Sequence, residues 1–165
     1  MTRTFFFLSI GIGSLALAYG WTQTRYPAMS LAPLLLATLW LVSVKWKLAW
    51  ASAFGFALLT VLSAFGLAAG FSFFYALTGI LGGLAAWDLE HFSWRLEAAV
   101  VEADRAALEL GHLFQLAVIL LVSVGASYLA LAARIRMQFG LAVGMVLMTI
   151  GGLAALVYWL RKKED

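Results

Sequence analysis

Two pairs of residues in this chain have the types and spacing for chemistry: Asp88 with His91, and Glu109 with His112. The members of each pair are three residues apart, so on a helix they share a face. A carboxylate beside an imidazole can hold a metal ion or pass a proton. A Glu-x-x-His pair is one part of the ligand set in di-metal helical bundles. His91 and His112 would also serve as axial ligands to a haem or chlorin. The rest of the sequence completes neither arrangement. A di-metal centre needs further carboxylates from other helices, and the apolar segments contain none. There is no cysteine, which excludes disulfides, thiolate metal sites, a thiol nucleophile and c-type haem attachment. No nucleophile elbow, phosphate-binding loop or zinc-protease motif occurs, and Gly11-x-Gly13 lies inside an apolar run, where it reads as packing. No catalytic residue and no cofactor is therefore expected. Asp88, His91, Glu109 and His112 are the candidates should a metal bind, and His91 and His112 the candidates for a haem or pigment.

Both pairs sit in one stretch, Asp88 to His112, which holds six of the eight acidic residues and both histidines. Outside it the chain is almost wholly apolar. The 165 residues are 64% hydrophobic and 12% charged, against about 45–50% and about 25% in a soluble domain. No soluble fold of this size hides so much apolar surface, so the bilayer is the expected solvent. The net charge of +3 then reports loop bias, and no nucleic-acid partner is implied.

A spanning helix needs about 20 apolar residues. Runs near 4–21, 29–44, 48–69, 71–87, 113–133 and 138–160 meet or approach that length, so the sequence predicts an all-α, polytopic membrane bundle of about six spans forming a single domain, 1–165. A reading with about five spans is the alternative. Arg3 followed by the Phe5–Ala18 run resembles a secretory signal, but is expected to stay as the first span. With about six spans, eight Lys and Arg residues collect on the side that holds both termini and 88–112, and three on the other. Positive charge stays inside, so both termini are expected to be cytoplasmic and the protein to lie in the cell inner (plasma) membrane. Arg134 and Arg136 run against that rule locally.

The charged stretch reads as one amphipathic cytoplasmic helix over 88–110, free of proline and with no glycine before Gly111. Leu89, Phe92, Leu96 and Leu110 form a stripe expected to dock it. Trp94, Val101 and Leu108, seven apart, form a second ridge, beside a row of Glu90, Glu97 and Asp104. Too acidic to favour anionic lipid, that ridge and row are the expected contact for a protein partner. Small residues four apart, among them Gly79 and Gly83, let helix backbones approach. The function expected is that of a non-catalytic accessory, assembly or scaffold subunit, in contact with lipid and with other membrane proteins or further copies of itself. The alternatives are a channel or carrier for a neutral or lipidic solute, and a metal, haem or pigment binder.

Overall fold

A computed structural model describes residues 2–46, 48–99 and 105–132, which are helical apart from short turns. The helices are α1 (Thr2–Thr22), α2 (Leu31–Lys45), α3 (Ala49–Ala68), α4 (Phe73–Ala99) and α5 (Arg105–Ala132), with a single 3-10 turn, Pro27–Ser30, before α2. The chain divides into two compact units, Met1–Val124 and Gly125–Asp165, where the sequence reading expects one. In the second, the described residues 125–132 are helical and expose Tyr128, Leu129 and Leu131.

Local chemistry sets the helix ends. At the end of α1 the hydroxyls of Thr22 and Thr24 donate to the carbonyls of Tyr19 and Trp21, at 2.7 and 2.8 Å, and so satisfy acceptors the helix leaves unpaired. Pro27 then opens the 3-10 turn, where its missing N–H costs nothing. α3 ends at Gly70, whose φ of 95° is the left-handed conformation glycine adopts freely. Gly70 N–H donates to Leu67 O and Phe71 N–H to Gly66 O, both at 3.1 Å, a paired capping motif that turns the chain into α4.

α4 is the central helix, packed against α1 on one side and α3 on another, while α2 lies on α1 and α3. Its closest approach is to α1. A Cβ on Gly82 would stand 2.7 Å from Ser9 O and 2.8 Å from Gly13 Cα, so only glycine permits this crossing. Leu17 of α1 lies fully buried over Gly79, and Leu59 of α3 fully buried near Gly83. Small residues thus serve the interior of one bundle, as Gly79 and Gly83 suggest in the sequence.

Four described helices are long and apolar enough to cross a bilayer: Thr2–Thr22, Pro27–Lys45, Trp50–Ala68 and Ala106–Ala132. The run expected at 138–160 lies outside the described residues. α4 is not among the four, because its apolar part ends at Trp87 and the same helix continues through Asp88, Glu90 and Arg95. This corrects the expectation of a separate cytoplasmic helix. A helix running on from 88 would hold residues 88 and 112 roughly 36 Å apart, yet their side chains touch. Residues 88–99 complete α4, and residues 105–110 begin α5. The docking stripe is corrected with it: Leu89 and Leu96 are buried, Phe92 is half-buried, and Leu110, on the other helix, is exposed.

Candidate functional site

One member of each pair, Asp88 of α4 and His112 of α5, meet where these two helices touch. His112 Nε2 lies 2.7 Å from Asp88 Oδ2, and since a carboxylate only accepts, the imidazole donates. The imidazole is also stacked on Phe92, one turn beyond Asp88, with ring centroids 3.8 Å apart and planes at 11°. Bond and stack together fix the ring from its edge and its face. Both side chains of the pair are largely but not wholly shielded.

His91 is held differently. Its Nδ1 lies 3.0 Å from the Trp87 carbonyl, one turn back, which requires the proton on Nδ1. Its ring lies near those of Trp87, at 4.9 Å, and Trp94, at 5.5 Å. The sequence pairs Asp88 with His91 and Glu109 with His112, but the fold pairs Asp88 with His112. Glu109 is partly buried on α5, one turn before His112. Among the described residues no group of three or more metal-capable side chains comes together. The dyad forms a charge-assisted tie between two helices.

Glu90 departs most from the sequence reading. Assigned there to an acidic contact row, it is 3% exposed. Trp40 of α2 donates its Nε1–H to Glu90 Oε2 at 2.8 Å. Glu90 Oε1 is equally buried and has no hydrogen-bond partner among the described residues. Burial pushes the carboxyl above its ordinary range of about 4.5, against the lowering effects of the Trp40 bond and of nearby His91. Position 90 is one turn past Trp87, so the helical repeat that carries apolar residues inward carries this carboxylate inward too. The sequence offers no sign of its partner, fifty residues earlier inside an apolar run.

The other residues of the expected partner surface separate. Trp94 is half-buried on α4, while Leu108 is exposed on α5, so the two do not share a ridge. Glu97, Val101 and Asp104 lie outside the residues whose side chains are described.

An apolar groove of about 940 Å³ runs between α1, α4 and α5, bounded by Phe5 and Ser9, Ala85 and Leu89, and Phe114 and Leu116. Leu116 of α5 is buried in the core of this unit, with Leu113 and Leu120 partly buried against it, so α5 leans on the bundle through these leucines and the His112 tie.

No protein-family model matches the chain, and no curated protein or solved structure matches it.

Proposed function

We propose that the chain is a non-catalytic accessory, assembly or scaffold subunit of a larger membrane complex, lying in the plasma membrane with its termini and the Asp88–His112 end on the cytoplasmic side. The observation that supports this best is the exposure of α5. Its spanning stretch is 6% buried within the protein, where that of α1 is 44% buried. Phe114, Leu121 and Val122 all point outward, each well over half exposed. A helix so little covered by the described residues offers a long surface to neighbouring helices, and in lipid close van der Waals packing is what holds helices together. The orientation rests on the eight-to-three division of Lys and Arg. Crosslinking in native membranes followed by purification in mild detergent tests the reading. A stoichiometric partner crosslinked through α5 is expected. A protein that purifies as an unaccompanied monomer overturns it.

The apolar groove favours a second reading, a carrier for a lipidic solute, since its volume falls in the range of about 300–1,000 Å³ typical of ligand sites. Reconstituted vesicles assayed for transfer of a fluorescent fatty acid or phospholipid decide it, and no transfer above protein-free vesicles removes it.

A further inference from the structure

A second cavity, of about 320 Å³, lies at the end of the bundle where α1 begins and α2 ends, and the Leu89–Trp94 part of α4 lines it too. Glu90 and Thr2 both line it, and both are 3% exposed. Five buried side-chain atoms among the described residues have no hydrogen-bond partner, and two of them belong to these residues: Glu90 Oε1 and Thr2 Oγ1. Buried polar atoms are rarely left so. Ser93 lines the same cavity, and its hydroxyl proton is already given to the Glu90 carbonyl at 2.8 Å, which leaves its oxygen as an acceptor. Arg3 and Lys45 also line it, and its walls include Phe6, Leu41 and Val44.

We propose that this cavity binds a primary ammonium group carried beside a phosphate, as in the head group of an ethanolamine phospholipid. An ammonium has three donors and no acceptor. Glu90, Thr2 and Ser93, three residues that line one cavity, each carry an oxygen able to accept. The ammonium charge also answers the buried carboxylate, which is costly to bury alone. Arg3 and Lys45 suit the phosphate, and Thr2 opens α1, so the positive end of that helix faces the same space. The apolar wall suits the first methylenes of acyl chains, which makes a lipid the source rather than a free solute. A choline head group lacks N–H donors, and a glycerol head group lacks the positive charge. The proposal rests on the membrane reading alone. It is indifferent to whether α5 has a partner, so either can fail without the other.

The test uses the full chain in delipidated detergent solution, offered dioleoyl phosphatidylethanolamine, phosphatidylcholine and phosphatidylglycerol at equal concentration, with retained lipid read by native mass spectrometry. The ethanolamine lipid should be retained about tenfold over each of the others. Glu90→Gln, which keeps an acceptor for Trp40, and Thr2→Val, which keeps the volume, should each bring it down to the choline level. Unchanged far-UV circular dichroism shows that both variants are folded. Phosphoethanolamine without acyl chains, added as competitor, distinguishes the sources: little displacement is expected, and full displacement at equal concentration overturns the lipid assignment. Equal retention of the ethanolamine and choline lipids overturns the proposal. So does preference for phosphatidylglycerol, which would mark a purely anion-binding site at Arg3 and Lys45, and so does an undiminished ethanolamine preference in both variants.

Discussion

His112 donates to Asp88 across 2.7 Å and twenty-four residues of sequence, and the same imidazole lies flat on Phe92. Two short-range contacts on one ring thereby tie α5 to a bundle it otherwise meets through Leu113, Leu116 and Leu120. A charge-assisted hydrogen bond is worth about 1.5–3 kcal/mol when sheltered, less here because the pair is partly open to solvent.

His112→Ala, which removes both bond and stack, should therefore cost about 1–2 kcal/mol. Asp88→Asn keeps an acceptor and should cost less. The readout is amide hydrogen exchange over 105–116, which should quicken in His112→Ala while exchange in α1 and α3 stays as it was. Unchanged exchange over 105–116 would mean that α5 is held by something else.

Glu90 gives the stability a pH dependence. Its carboxyl is raised in the folded protein above about 4.5 by burial. The folded state therefore binds its proton more tightly than the unfolded state does. That contribution is fully present below about pH 4.5 and is lost as pH rises through the raised value. Thermal unfolding of delipidated protein should show Glu90→Gln with a weaker fall in stability over that window than the native chain. Parallel curves would show that Glu90 is not the titrating group.

Trp40→Phe removes the Nε1–H that Glu90 Oε2 accepts and leaves a second buried carboxylate oxygen unsatisfied. The expected loss is about 1–3 kcal/mol. Combined with Glu90→Leu, which removes the carboxylate itself, the loss should shrink. Strict additivity of the two would show that the pair does not interact.

Gly82→Ala should be the most damaging alanine substitution at a glycine of α4. Its Cβ meets backbone, Ser9 O and Gly13 Cα, which cannot rotate away. Overpacking of this kind costs about 1–3 kcal/mol. Gly11→Ala and Gly111→Ala meet nothing within 4 Å and should be neutral or stabilising, since glycine is a poor helix former. Unfolding in increasing dodecyl sulfate would rank the three, and an unperturbed Gly82→Ala would show that α1 and α4 pack otherwise.

Orientation can be tested with single cysteines, because the chain has none. Gln23 and Arg95 are both exposed and lie near opposite ends of the bundle. Gln23→Cys should react with a membrane-impermeant thiol reagent in intact cells, and Arg95→Cys only in inside-out vesicles. The reverse pattern would invert the topology.

Sequence alone determined the material of this fold. Runs of apolar residues at near-spanning length and breaks such as Thr22–Pro27 and Gly70 placed the helices α1 to α3 to within a few residues, because those features act locally: a helix needs the run, and the turn needs the glycine or the proline. The absence of cysteine and of any catalytic motif was equally plain. Tertiary structure decided which residues meet. Helical spacing paired Asp88 with His91, but α4 and α5 are separate helices that touch at this point, and the imidazole bonded to Asp88 is that of His112. The same spacing put Glu90 in an acidic outer row. Which side of a helix faces inward depends on what lies against it, and here α2 supplies an indole N–H that makes a buried carboxylate tolerable. A periodicity read along one helix holds no information about the helix that covers it, so the partnership of Trp40 and Glu90 could arise only once four helices had packed.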